Sequence, residues 1–375
     1  MKHAQDKATE NDNPLYAAAL DGDVEAMRIL LDQGADVNAQ VGEYGNPLQA
    51  AACNNRLEAI RFLLDRGADI NVQRGDYGDA LQVAAHKDRV EAMQLLLERG
   101  ADVHAQCALY GNAFQALASN GNLEFMRLFL SKGVDVNEQG GIFDNAMQAA
   151  AFNGQVEAMR LLSDHGADIH VQGGCMGNSF QAAACGGICG DSIGAMQLLL
   201  DLGVDINVQG SRFGAALQAA THTRGRCRDT SKIENLIRDL KSIHFLLDKG
   251  ADVNAQGGFY GNPLQAAAYI GDVEIMQLFL DKGADIHAPG GYYGNALQAA
   301  AVSGNIDVVR ILLDKGADVN VQGGHYGSAL QAATSEGNTE AVQLLLDRGA
   351  IVLETPGVNG VNDVNGGQSK IGQNP

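Results

Sequence analysis

Apolar and polar residues along this chain follow two rhythms that recur in a fixed order. In Leu57-Glu58-Ala59-Ile60-Arg61-Phe62-Leu63-Leu64, the side chains of Leu57, Ile60, Leu63 and Leu64 fall on one helical face, which predicts an amphipathic helix. Just before it, Asn46-Pro47-Leu48-Gln49-Ala50-Ala51-Ala52 predicts a thinner helix. Asn46 is placed to cap it, and Pro47 takes the first helical position, where its missing N–H is harmless. The alanines favour helix and let neighbours approach closely. Asn54-Asn55 reads as the turn between the two helices, and Gly67 as a left-handed stop after the second. From Asp69 to Tyr77, short alternation and glycine predict an extended, hairpin-like connection.

The unit repeats. Gly-(Ala/Val)-Asp begins at Gly34, Gly67, Gly100, Gly133, Gly166, Gly203, Gly250, Gly283 and Gly316, with successive spacings of 33, 33, 33, 33, 37, 47, 33 and 33; Gly349-Ala350 is a degraded copy 33 further on. Leu15, Leu48, Leu81, Phe114, Met147, Phe180, Leu217, Leu264, Leu297 and Leu330 keep the same register. A two-helix unit of this size has apolar faces on both sides and buries them only by stacking. The expected fold is therefore an all-α repeat solenoid of about ten helix-turn-helix units joined by β-hairpin-like loops.

These residues resemble the ankyrin family, whose repeat is 33 residues long and carries Thr-Pro-Leu-His near its start. The resemblance covers roughly Asn13 to Ala350. Asn46, Asp79 and Asn112 stand where the family has threonine and still cap; Gln49, Gln82, Gln115 and Gln265 replace its histidine and can still reach a neighbouring loop. The hairpin reads Gly-Gly-x-Tyr-Gly-Asn, as in Gly290-Gly291-Tyr292-Tyr293-Gly294-Asn295, a variant similar to arrays at the C-terminal end of filamentous-fungal receptor-like proteins. The resemblance implies protein–protein binding through hairpin tips and first helices, and no catalysis. It leaves open that the chain is the recognition array of a larger receptor-like protein.

Four extra residues in the sixth repeat and fourteen in the seventh fall between the first helix and the glycine marker, where they lengthen the inter-helix turn. The larger insertion, near 221–243, carries Arg224, Arg226, Arg228, Lys232, Arg238 and Lys241. Ile233, Leu236, Ile237, Leu240 and Ile243 have helical spacing, which extends the second helix backwards. Ala215 stands where other repeats carry a capping side chain. The expected organisation is a polar tail over 1–12, repeats 1–6 over 13–205, repeats 7–10 over 206–350, and a Gly- and Asn-rich segment over 351–375 that is expected to be disordered.

Composition narrows the function. The formal net charge of −19 opposes phosphate, so neither nucleic acid nor an anionic membrane is an expected partner. No run of about 18 apolar residues offers a membrane span, and the polar start lacks a secretory core. Six cysteines at irregular spacing read as reduced thiols of a cytoplasmic or nuclear protein. A monomer that binds other proteins is expected, with no cofactor, no metal and no catalytic residue. Cys175, Cys185, Cys189, His222, Cys227 and His244 lack standard zinc spacing, so a metal protein centred on these insertions is the weaker reading.

Because the repeats align with one another, variable exposed positions mark where specificity is written. The tip residue before the hairpin aromatic runs Glu43, Asp76, Leu109, Ile142, Cys175, Arg212, Phe259, Tyr292, His325; the position after the first-helix alanines runs Cys53, His86, Ser119, Phe152, Tyr269, Val302, Ser335. The expected partner-binding residues are Phe259, Tyr260, Tyr269, Ile270, Tyr292, Tyr293, His325, Leu109, Ile142 and Phe152, with Arg224, Arg226 and Arg228 as a docking insertion. The regular ring series Tyr44, Tyr77, Tyr110, Phe143, Phe213, Tyr260, Tyr293 and Tyr326 reads chiefly as a scaffold ladder.

Overall fold

The alanine-rich and amphipathic segments are helical. The computed structural model describes residues 13–352 apart from 108, 110, 187–189, 211–212 and 227–232, and gives backbone alone for 223–226 and 233–239. Among the described residues, twenty α-helices pair into ten helix-turn-helix units, an all-α repeat solenoid. The second unit is typical. Asn46 caps Pro47–Cys53 by accepting the Gln49 amide at 2.8 Å, and Leu57–Asp65 follows a turn in which Asn55 has a φ of 56°. Of the apolar stripe, Ile60 and Leu63 are fully buried, while Leu57 and Leu64 pack half-buried at its edges.

The thin first helices make close stacking possible. Each packs against the first helix of the next repeat and against its own second helix, and one apolar core runs unbroken from Leu15 to Leu345. Between units the chain turns back in a short antiparallel hairpin. Gln106–Cys107 pairs with Gly111–Asn112, and single bridges such as Gly257 with Gly261 and Gly290 with Gly294 close the others.

From the second repeat to the ninth, glutamine ties the first helix to the following hairpin. The Gln298 side chain donates to the carbonyls of Val321, Gly323 and Gly327 at 3.4, 3.0 and 2.8 Å, and Gln265 donates to Ala288 at 3.0 Å. The glycine four residues before these glutamines, with Asp144 before Gln148 the exception, is favoured by the same contact. A Cβ on Gly294, whose φ is +100°, would lie 2.1 Å from the Gln298 Oε1. A second tie is asparagine: Asn254 Oδ1 accepts the Asp285 amide at 2.7 Å while its Nδ2 donates to the Gly283 carbonyl at 3.0 Å. His104, His170 and His287 hold the asparagine register, and their backbone amides join the same Asp-centred turns.

The seventh repeat departs from the expected lengthened turn. Its first helix extends to Ala216–Arg226 and its second spans Ile233–Asp248, so the insertion is absorbed largely as helix on both sides. The backward extension of the second helix follows its apolar spacing; the forward extension of the first has no comparable signal in Thr221-His222-Thr223-Arg224. No helix among the described residues is long and apolar enough to cross a membrane.

Candidate partner-binding face

In two stretches of the array each hairpin tip is joined to the tip before it through the backbone. The amide of Ile142 donates to the Leu109 carbonyl at 2.9 Å and that of Cys175 to Ile142 at 2.8 Å; Tyr292 donates to Phe259 and His325 to Tyr292, both at 2.8 Å. A backbone bond is indifferent to the side chain it carries, so the tip residue is free to vary while its position is fixed. Consecutive tip side chains are thereby set against one another in two strips, Leu109 to Cys175 and Phe259 to His325.

The second of these strips is aromatic. The rings of Phe259 and Tyr292 stack at 5.0 Å and 16°, and those of Tyr292 and His325 at 4.7 Å and 19°. Phe259 and Tyr292 remain 46% and 37% exposed, which is unusual for large rings already packed on each other. Behind them lies a second row. Tyr260 and Tyr293 are only 5% and 4% exposed, and Tyr269 lies flat on Tyr293 at 4.7 Å and 19°. Phe259 meets Tyr260 and Tyr293 edge-on at 5.4 and 5.6 Å. Burial raises the ionisation of the Tyr293 hydroxyl well above its usual range, so it stays neutral. Tyr326, at the end of this row, donates to Glu336 at 2.8 Å, and that bond pushes its hydroxyl up to about 12.

The expected residues thus divide. Phe259, Tyr292 and His325 come together as an exposed column. Tyr260 and Tyr293 do not present themselves for direct contact, because their burial makes them the support of that column. Tyr269 and Ile270, at the end of the first helix Pro263–Ile270, are half-buried beside it. Leu109 is exposed and Ile142 half-buried in the first strip, where their side chains are aliphatic. Phe152 is occupied within its own repeat, packed on Phe143 at 5.2 Å. The same contact between a first-helix end and its own hairpin ring joins Tyr77 to His86 at 5.0 Å and Tyr260 to Tyr269 at 5.7 Å. The ring ladder also continues toward the start of the array, with Tyr44 and Tyr77 5.5 Å apart.

Arg224 and Arg226 lie on the extended first helix of the seventh repeat, and Arg228 lies outside the described residues, as do Cys189, Cys227 and Tyr110. Cys185 is buried against the Ala219 carbonyl, and His222 Nδ1 meets the Tyr260 hydroxyl at 2.7 Å. Among the described residues no three His, Cys, Asp or Glu side chains converge to hold a metal ion.

The model of ankyrin repeats (three copies) matches residues 2–74, 81–173, 113–210 and 235–323, most of the chain. The chain belongs to the ankyrin-repeat family. Among solved structures it is similar to the crystal structure of the human ASB11 ankyrin repeat domain, at 21% sequence identity over 60% of this chain and 97% of that one, with a TM-score of 0.46. No curated protein matches it. Ankyrin repeats are generally protein–protein interaction modules and typically lack catalysis.

Sequence reasoning missed two features of this ankyrin array. The tip-to-tip backbone bonds carry no side-chain signature, and only the constancy of the period hints at them. Tyr16 occupies the register of Gln49, and its hydroxyl accepts the Tyr44 amide at 3.3 Å, tying the first helix of the first repeat to its hairpin as an acceptor where glutamine acts as a donor. Reading that register position across all ten repeats would have found it.

Proposed function

We propose that this protein is a non-catalytic scaffold that holds protein partners against its hairpin tips and first helices, with Phe259, Tyr292 and His325 at the centre of the contact. The observation that carries this reading is the exposed stack of those three rings on buried Tyr260 and Tyr293. Aromatic side chains have few torsions to freeze and much surface to bury, so they dominate binding energy where they cluster. A column already stacked in the free protein has lost most of its side-chain entropy before a partner arrives, which lowers the cost of association. Placement in the cytoplasm or nucleus accompanies this reading, and the buried cysteines Cys53 and Cys185, neither in a disulfide, are compatible with it.

The test is an affinity capture from native cell extract with the wild-type chain and a Phe259→Asp, Tyr292→Asp variant of unchanged helical content. Partners retained by the first and absent from the second place the contact on these tips. An identical partner set from both would remove the column from the binding face and direct attention to Arg224 and Arg226.

A further inference from the structure

The C-terminal face of the tenth repeat is built to receive another hairpin. Between repeats, up to three ties fasten a new hairpin: the asparagine clamp where the register is not histidine, the glutamine donor and the tip-to-tip backbone bond. At the tenth repeat the first of these is already made. Asn320 Nδ2 donates to the Gly349 carbonyl at 3.1 Å, and its Oδ1 accepts the Ile351 amide at 2.8 Å, as Asn254 does with Gly283 and Asp285. The other two are open. Among the described residues, the Gln331 side-chain amide and the His325 carbonyl have no hydrogen-bond partner, whereas Gln298 and the Tyr292 carbonyl one repeat earlier are engaged. His325 and Gln331 border, with Tyr326, Leu330, Thr334 and Val352, a cleft of about 680 Å³.

The sequence beyond Val352 matches this vacancy in register. One period after Gly323-Gly324-His325-Tyr326-Gly327 stands Pro356-Gly357-Val358-Asn359-Gly360. Gly324 and Gly327 have φ of +61° and +87°, and both positions are again glycine. The match fails at two points: Pro356 has no N–H for the closing bond that Gly323 makes to the Gly327 carbonyl at 2.7 Å, and Asn359 stands where Tyr326 carries a ladder ring. Such a turn depends on the array for its partners. The N-terminal face of a second copy fits less well, because residues 1–12 contain no glycine from which a positive-φ hairpin is made.

We propose that the cleft bordered by His325, Leu330 and Gln331 is a docking site for the chain's own residues 356–360. The Val358 amide is in register to donate to the His325 carbonyl. The carbonyl of Gly360 stands 29 residues after Gln331, as that of Gly327 stands 29 after Gln298. The tenth first helix, Ala329–Ser335, is then covered in the way each earlier one is. Covalent attachment at Val352 supplies a high effective concentration, so modest contacts suffice.

Hydrogen exchange of the full chain against a chain ended at Val352 tests this. Amides of Ala332, Ala333 and Thr334 should exchange on the order of ten-fold more slowly in the full chain, while amides of Val156–Asp164 in the fifth repeat report unchanged folding. Gly360→Val in the full chain should lose the protection as the shortened chain does. Equal exchange in the full and shortened chains overturns the proposal. Protection that grows with protein concentration also overturns it, because the occupant is then a second copy.

Discussion

The amide of Tyr292 donates to the carbonyl of Phe259 at 2.8 Å, and its ring lies over the Phe259 ring at 5.0 Å and 16°. Backbone and side chain thus register the same two repeats at one point. The backbone bond recurs at Ile142 on Leu109 and at His325 on Tyr292, whatever the side chain. Spacing along the tips is therefore a property of the fold, and chemistry along them is a property of the sequence. Tip residues can therefore change without disturbing the core, which on the proposed function is how such an array would change its partner.

The buried N-cap Asp79 makes stability depend on pH. Other first helices are capped at this position by Asn46, Asn112, Asn145 or Asn262, and burial pushes the Asp79 carboxyl up to about 6. A folded-state value above the unfolded one means that the folded protein binds the proton more tightly. The stabilisation is full below about pH 4 and is lost as pH rises through 6. Asp79→Asn should raise stability on the order of 2 kcal/mol at pH 8, with the gain shrinking toward pH 4. Urea unfolding at both pH values checks this; a gain of equal size at pH 4 and pH 8 contradicts it.

Asp144 holds a left-handed conformation, φ 73°, where the other hairpins have glycine, and its Oδ2 is buried without a hydrogen bond. A non-glycine residue there costs about 1–2 kcal/mol, against about 0.5–1 kcal/mol of extra unfolded-state entropy for glycine. Asp144→Gly should therefore stabilise the array by about 1 kcal/mol, read as a higher denaturant midpoint at unchanged slope. A lower midpoint would show that the aspartate makes a compensating contact.

The seventh repeat is predicted to be the weakest joint of the array. Gln218 Oε1 accepts the Ala215 amide at 2.7 Å, but Ala215 has no side chain to take the Gln218 amide, as Asn262 takes that of Gln265 at 2.9 Å. Ala215→Asn should add about 1 kcal/mol. In the unmodified chain, repeats 7–10 should open separately from repeats 1–6 in native-state hydrogen exchange. A single cooperative unit spanning Ala215 would refute the joint.

Period, helix pairing and caps were legible in the sequence because each rests on local chemistry repeated many times: Asn46 before Pro47, Gly67 after Leu64, the alternation around Tyr77. The glutamine ties were legible as a capacity, since Gln49 or Gln298 can reach a loop, though not which carbonyls it meets. The division of the aromatic group into exposed Phe259 and Tyr292 and buried Tyr260 and Tyr293 was legible in part, since the regular series through Tyr260 and Tyr293 reads as a ladder while the tips before it vary. That Tyr260 and Tyr293 are buried almost completely beneath the column was not legible, because depth of burial depends on the neighbouring hairpins. The extension of the seventh first helix through Arg226 was equally hidden, because Thr221 to Arg226 has neither a cap nor an apolar stripe.

Hydroxyl-radical footprinting of the array with and without a captured partner tests the central claim most directly, because it reads side-chain accessibility. Phe259, Tyr292 and His325 should react in the free protein and be protected in the complex, while the second-helix side chain Ile29, 49% exposed, should react equally in both. Protection confined to second helices or to the seventh repeat, with Phe259 and Tyr292 unchanged, would contradict a partner face built on the hairpin tips.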